Sequence, residues 1–317
     1  MRFAIIDIGT NTINLAIASI SDKGNNYQMI YSGKEAARLG KGGINEGIML
    51  EDAMERGIEA IGKHAKTIES FNVDHTVAIG TSVMRSVKNA DIFAQKIKEK
   101  FGIDISIVSG DEEARLIFDG VKQVMPIGSE RVLILDIGGG SCEFIIANKD
   151  GIIWEHSFEL GMSRLLDKFH PSDPITSEEI KKIEAYLRSE MQLLYEALHN
   201  YPTQILVGTS GSFDTIATII AAQKHPAMNI KLSTSYEIGV APFTEIHRHL
   251  MQTTAEQRRA IPKMDKNRVD LVVVGSVFIN FVIREMRIEQ LYQCSYALKQ
   301  GAVLQFIEKE IKNKKSE

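Results

Sequence analysis

An isoleucine-rich run ends in Asp7-Ile8-Gly9-Thr10-Asn11, and a second apolar run, Val132-Leu133-Ile134-Leu135, ends in Asp136-Ile137-Gly138-Gly139-Gly140-Ser141. Each acid–glycine turn leads at once into another stretch of strand character. A mononucleotide-binding βα unit would follow its glycines with a helix, and a Walker loop would continue into Gly-Lys-Ser/Thr; neither occurs here. The chain therefore spells one plan twice: strand, glycine turn, strand, a third strand, then helices and strands in alternation.

The first copy reads as strands at 2–8, 13–20 and 27–36, with Gly24-Asn25-Asn26 as a hairpin turn signal. A helix follows whose apolar face is Leu50, Met54, Ile58, Ile61, Ala65 and Ile68. Then come a strand at 75–80, a helix near 91–101, a strand at 105–108 and a helix from 111 to about 124. The second copy reads as strands at 132–135, 143–147 and 152–160 and a long helix over 177–199, which Thr176 and Glu179 open as a capping box. A strand at 204–207, a helix at 212–222, helices across 242–286, a strand at 290–295 and a last helix at 297–313 complete it. Two facing copies predict an interdomain cleft as the ligand site.

A length of 317 residues suits two domains of roughly 150 residues each. With 37 basic and 41 acidic residues the formal charge is -4, which argues against a basic coat for a nucleic-acid polymer. Cys142 and Cys294 are the two cysteines; they exclude a disulfide scaffold and a cysteine-rich zinc site and suit a reducing compartment. Asp7 breaks the N-terminal apolar run far short of a signal peptide, and the apolar stretch Leu271 to Ile283 is shorter than the roughly 20 residues a bilayer needs. The expectation is a soluble cytoplasmic protein without a membrane segment. The lysine-rich stretch Lys309 to Lys314 reads as a solvated helix end.

Glycine turns let backbone N–H groups converge on an anion. Gly9, Thr10 and Asn11 in one turn, and Gly138, Gly139, Gly140 and Ser141 in the other, are thus candidate phosphate contacts. A third turn, Val207-Gly208-Thr209-Ser210-Gly211-Ser212, precedes a helix whose N-terminus can meet another phosphate through Gly208 and Gly211, unless Ser210 or Ser212 is simply its N-cap. Asp7 and Asp136 close the two strands, where an aspartate can hold a hydrated Mg2+ that also touches phosphate. Glu143, two residues beyond Ser141, is placed to face the same site, so Asp136 and Glu143 are the candidate metal ligands. Ser109 and Glu112 match a capping box; Glu113 beside them either complements the helix dipole or takes a proton from water. Arg38, Arg85 and Lys88, the last one helical turn after Arg85, are either solvated charges or phosphate contacts. His247 and His249 lie two apart in a helix and make a poor metal pair. Cys142 reads as a buried packing residue.

These blocks resemble the exopolyphosphatase / guanosine pentaphosphate phosphatase family. Ala4 to Thr12 resembles its first phosphate loop. Further matches are Arg38-Leu39-Gly40, Thr81-Ser82-Val83-Met84-Arg85, Ser109 to Arg115, Asp136 to Glu143, Leu160 to Leu165 and Gly208-Thr209-Ser210-Gly211. The resemblance runs in order through nearly the whole chain. It implies an α/β fold of two actin-like (ribonuclease H-like) domains with duplicated βββαβαβα topology. The expected domains are 1–124 with 303–317, because the final helix returns to the first domain, and 125–302. It implies an exopolyphosphatase releasing terminal orthophosphate from inorganic polyphosphate, or else a guanosine pentaphosphate 5′-phosphohydrolase. A non-catalytic sensor of either ligand and a kinase of the same superfamily stay open as rivals. By motif position Glu113 is the expected water-activating base, Asp136 and Glu143 the carboxylates for Mg2+ or another divalent cation, Asp7 a member of the phosphate loop and Arg85 a phosphate contact. A homodimer is also implied. The chain departs from the pattern at Cys142, where threonine is usual, at Ser86-Val87 and at Lys299-Gln300-Gly301, and it lacks the C-terminal helical extension of longer members, which bears on processivity.

Overall fold

The computed structural model describes the backbone of residues 1–21 and 26–316, and the side chains of these apart from 231 and 312–316. The chain divides into two compact units, Met1–Gly120 with Leu298–Glu317, and Val121–Ala297.

The first unit is built on β1 (Arg2–Ile8), β2 (Ile13–Ile20), β3 (Tyr27–Glu35), α1 (Glu51–Ser70), β4 (His75–Gly80), α2 (Ser82–Ser86), α3 (Ala90–Phe101), β5 (Ile105–Ile107) and α4 (Gly110–Val121). Its five-stranded sheet has the order β3-β2-β1-β4-β5. β1 pairs antiparallel with β2 and parallel with β4. The central strand is apolar on both faces, and Ala4, Ile5, Ile6 and Ile8 are fully buried, as a strand covered on two sides requires. β3, at the edge, alternates between half-buried and exposed. Of the hairpin turn signal, Gly24 and Asn25 lie outside the described residues; beside them Ser21 N–H donates to Asn26 O at 3.0 Å.

The face of α1 is rotated from its sequence reading. Ala53, Met54, Gly57, Ala60, Ile61 and His64 are the buried positions, whereas Leu50 is the N-cap and exposed. Gly57 sets this rotation: a Cβ there would stand 2.8 Å from both Leu39 Cδ2 and Phe93 Cε2.

The second unit runs β6 (Val132–Ile137), β7 (Cys142–Asn148), β8 (Gly151–Phe158), α5 (Met162–Phe169), α6 (Ser177–Glu190), α7 (Gln192–Asn200), β9 (Ile205–Thr209), α8 (Ser210–Lys224), β10 (Ser235–Glu237), α9 (Val240–Met251), α10 (Ala255–Ala260), α11 (Leu271–Glu285) and β11 (Gln290–Cys294). Its six-stranded sheet has the order β10-β11-β9-β6-β7-β8. Without the short edge strand β10, this is the strand order of the first unit. The core joins the sheet to α8, with nine of its fifteen residues buried, and to α11, with twelve of fifteen buried. The apolar stretch Leu271–Ile283 is thus a core helix, and no helix among the described residues is long and apolar enough to cross a membrane.

The expected long helix is two: α6 ends and α7 begins at Met191, whose buried side chain and φ of -97° mark the break. The capping box that opens α6 is present, with Glu179 N–H donating to Thr176 Oγ1 at 3.3 Å and Thr176 N–H to Glu179 Oε2 at 2.8 Å.

The last helix, α12 (Leu298–Ser316), belongs to the first unit. Phe306 stacks on Phe3 of β1 at 4.1 Å between ring centroids. Gly301 lies against α4, where a Cβ would stand 1.8 Å from Leu116 O. The helix runs through the lysine-rich stretch.

Candidate active site

The two acid–glycine turns share one backbone. Gly9 N–H donates to Thr12 O at 3.1 Å and Gly138 N–H to Ser141 O at 3.0 Å. A Cβ on Gly9 would stand 3.0 Å from Thr12 O, and one on Gly138 2.9 Å from Ser141 O. The second turn needs glycine for room, and at Gly9 a side chain would crowd the turn.

The surroundings of each turn occupy its acceptors. Thr10 O accepts from Gly40 N–H at 3.0 Å, and Asn11 O from Arg38 N–H at 2.8 Å. In the second turn Gly138 O accepts from Met162 N–H at 3.0 Å and Gly139 O from Ser163 N–H at 2.8 Å. Gly140 O accepts from Gly161 N–H at 3.2 Å and from Arg164 Nε at 2.8 Å. The start of α5 can lie this close because Gly161 has no side chain; a Cβ would stand 2.3 Å from Gly139 C and Gly140 N. With the carbonyls taken, the amides remain: those of Thr10, Asn11, Gly139 and Gly140 have no hydrogen-bond partner among the described residues. Thr10 Oγ1 is also buried without a partner among them. A turn whose N–H groups are presented while most of its C=O groups are taken, and all of them in the second turn, is a receptor for an anion.

The carboxylates differ between the units. Asp136 of β6 stands directly opposite Glu143 of β7 in the antiparallel register, so both side chains leave the same face of the sheet. Both are buried, Asp136 7% and Glu143 1% exposed. Asp136 Oδ2 accepts from Thr209 Oγ1 at 2.6 Å, Ser210 Oγ lies 2.8 Å from each Asp136 oxygen, and Glu143 Oε1 accepts from Ser157 Oγ at 2.7 Å. The pair makes its neighbourhood electronegative. The thiol of Cys142, which donates to Leu160 O, is held well above its ordinary pKa by burial first and then by the charges of Glu143 and Asp136. Among the described residues no group of three or more His, Cys, Asp or Glu forms a complete metal cage. Two adjoining carboxylates beside an anion-receiving turn are nevertheless the donor set that suits Mg2+, which keeps several waters and shares its remaining positions with phosphate. The residues present fit such a cation.

Asp7 has a different neighbour. It pairs in register with Asn14, whose Nδ2 donates to Asp7 Oδ2 at 2.9 Å. There the acid faces an amide rather than a second acid.

In the first unit α2 and α4 bring Arg85 and Glu113 together. Arg85 Nη1 donates to Glu113 Oε2 at 2.6 Å and to Val108 O at 3.0 Å. Glu113 is 8% exposed. Arg85 Nη2 is buried and has no hydrogen-bond partner among the described residues. The guanidinium is therefore held by one nitrogen and offers the other. Glu112 is occupied as expected, accepting from Ser109 N–H at 2.8 Å while its own N–H donates to Ser109 Oγ at 3.1 Å. These bonds hold its carboxyl below the usual range. Lys88 does not follow Arg85 along a helix: α2 stops at Ser86, Val87 is extended, and Lys88 is exposed with its N–H bonded to Gly47 O.

The third turn differs from the serine N-cap reading. The N-cap of α8 is Thr209, and no side chain caps the helix; the hydroxyls of Thr209 and Ser210 go to Asp136 instead. Gly208 is inside β9 beneath the Phe213 ring, where a Cβ would stand 2.1 Å from Cδ1. Gly211 lies under the Arg268 guanidinium, 1.7 Å from Cζ to a hypothetical Cβ. Sequence reasoning missed Asn14, Ser157 and Arg268, and missed the contacts, though not the presence, of Thr209, Ser210 and Arg164, since each contact is made through pairing or packing across the fold. His247 is no ligand: its Nδ1 lies 2.9 Å from Ser276 Oγ, and burial, with Arg284 and Arg248 nearby, lowers its pKa to about 4.

Comparison with known proteins gives this geometry its setting. A crystal structure of an exopolyphosphatase from Cytophaga hutchinsonii is 34% identical and aligns with a TM-score of 0.94 over 97% of this chain and 98% of that one. Exopolyphosphatase 1 of Mycobacterium leprae is 24% identical over 98% of this chain and 91% of its own length. The guanosine-5′-triphosphate,3′-diphosphate pyrophosphatase of Photobacterium profundum is 25% identical over 97% of this chain but only 59% of its own length. The Ppx/GppA phosphatase family matches residues 16–310, from the second strand of the first glycine turn to the helix that returns to that unit, and to this family the chain belongs.

Proposed function

We propose that the protein is an exopolyphosphatase that releases terminal orthophosphate from inorganic polyphosphate, with Mg2+ or another divalent cation held by Asp136 and Glu143. The observation that carries this reading is the conjunction, on one strand pair, of a turn that offers only N–H groups and a buried dicarboxylate. Phosphate oxygens and a hydrated cation are the ligands that such a combination takes together.

The chain's own residues then divide the work of an in-line displacement, which rests mainly on positioning and charge neutralisation. Amides of Thr10, Asn11, Gly139 and Gly140, with Gly9, Gly138 and Ser141 shaping the turns, bind phosphate oxygens. Gly211 lets the start of α8 approach, while Gly208 supports that turn from beneath. Asp7, held by Asn14, fixes the end of β1. Arg85 donates from Nη2 to the terminal phosphoryl group. Glu113, oriented by Arg85 Nη1, aligns a water molecule and accepts its proton as the water oxygen bonds to phosphorus and the anhydride P–O bond breaks. When bound, the cation supplies neutralisation of charge at the transferring group. Action in the cytoplasm and a homodimeric assembly belong to the same proposal.

The name of the Photobacterium relative favours a second reading, hydrolysis of the 5′-terminal phosphate of guanosine pentaphosphate. One assay separates the readings: phosphate release from polyphosphates of several lengths and from guanosine pentaphosphate, with and without Mg2+. Metal-dependent release from polyphosphate is expected. Release from the nucleotide alone would select the second reading, and tight binding of either without release would leave a sensor.

A further inference from the structure

We propose that Thr209 and Ser210 are positioning residues for Asp136, and that their two hydroxyls set the affinity of the Asp136–Glu143 pair for a divalent cation. This rests on the cation reading above.

The parallel pairing of β6 with β9 places Thr209 directly beside Asp136. Thr209 is fully buried and donates to Asp136 Oδ2 at 2.6 Å; Ser210 Oγ sits 2.8 Å from both Oδ1 and Oδ2. Two donors from successive residues fix the carboxylate plane, which one donor would leave free to turn. Each of these residues forgoes another use of its hydroxyl. Thr209 occupies the N-cap of α8, where a threonine oxygen usually accepts a helix N–H, yet no side-chain cap forms. Ser210 is held at a φ of +69°, a left-handed conformation that a non-glycine residue adopts only under constraint from its surroundings. The helix start is thus arranged around the acid on the neighbouring strand rather than around its own orphan amides. Partners that orient a ligating carboxylate typically account for 10–100-fold in metal affinity.

The test is calorimetric titration of the full chain with Mg2+ alone and Mn2+ alone, without substrate, alongside thermal unfolding. Ser210→Ala and Thr209→Val are each expected to weaken cation binding roughly 10–100-fold, and Thr209→Ser to retain wild-type affinity. Ser210→Gly should bind as weakly as Ser210→Ala. It should nevertheless unfold roughly 2–4 °C higher than that variant, because glycine takes the positive φ without strain. A purely structural role would lower the unfolding temperature and leave the titration unmoved. If Asp136→Asn loses the cation while Ser210→Ala and Thr209→Val bind as wild type does, the proposal is overturned and the metal reading stands. If the wild type binds neither cation, or Asp136→Asn binds as tightly, both are overturned. Thr209→Val, which preserves side-chain shape, keeps the test decisive should a Ser210 variant fail to fold.

Discussion

The turns at Asp7 and at Asp136 share a hydrogen bond, a steric demand for glycine and a set of occupied carbonyls, yet they face different partners. Across the strand pair from Asp7 stands Asn14; across from Asp136 stands Glu143. Each unit presents free turn amides, while one amide-for-acid difference gives the second a pair of facing carboxylates where the first has an acid facing an amide. The first unit carries instead the Arg85–Glu113 ion pair. On the proposed function, the shared backbone fixes where a ligand is met, and the residue across the ladder decides the sign of its charge.

The largest expected effect tests the first unit's share. Glu113→Gln should lower the rate of phosphate release by on the order of 10²–10⁴, the usual contribution of a general base, with cation binding intact. Turnover at the wild-type rate would remove Glu113 from the reaction.

Making the second turn resemble the first is the complementary step. Glu143→Asn places an amide opposite Asp136 and should weaken Mg2+ binding at least ~10²-fold in calorimetry, a ligand counting for more than the residues that orient it. The same affinity in variant and wild type would dissolve the distinction between the two turns.

Support of the turns can be compared next. Gly161→Ala drives a methyl group into the backbone of Gly139 and Gly140 and should cost about 1–3 kcal/mol in urea unfolding, with a higher KM for polyphosphate. Gly40→Ala meets the Thr10 methyl group at 2.4 Å, a side chain rather than main chain, and should cost less. The reverse order would show the first turn to be the more rigid.

The smallest effect concerns pH. Each unit holds a histidine with a lowered pKa: buried His64, bonded to Ile13 O, and half-buried His247, at about 4. Both are displaced chiefly by burial, so the unfolded chain binds protons at a higher pH than the folded one. Stability is full above the ordinary histidine value of about 6.5 and falls as pH drops toward 4. For His247 the loss should be about 1–2 kcal/mol after allowance for screening on its partly open side. His247→Gln should flatten that slope in urea midpoints measured from pH 7 to 4.5; an unchanged slope would assign it to other groups.

Much of this architecture was legible because burial on two faces leaves unbroken apolar runs such as Ile5-Ile6 and Leu133-Ile134-Leu135, and because capping boxes are local. The Ser109–Glu112 and Thr176–Glu179 boxes both stand as read. Local signals failed where the cause was distant. No glycine or proline near Met191 marks a helix end in the sequence; the break shows only in its backbone, at φ -97° and ψ 26°. α2 and β10 are too short for periodicity to show, and α5, at eight residues, falls unassigned between the strand read to 160 and the helix read from 177. In the site, the glycines and acids announce themselves by type. What they bond does not: Arg85 meets Glu113 across two intervening elements, and Thr209 reaches Asp136 only through the β6–β9 register.

The stacking of Phe306 on Phe3 has a consequence for synthesis. The second unit is a continuous stretch of chain, so every contact it needs exists once Ala297 has been made. The first unit begins earlier but waits for α12 to cover β1. On the ribosome, the part translated first is therefore the part completed last, and until α12 arrives one face of its leading strand, the one bearing Phe3, must stay uncovered.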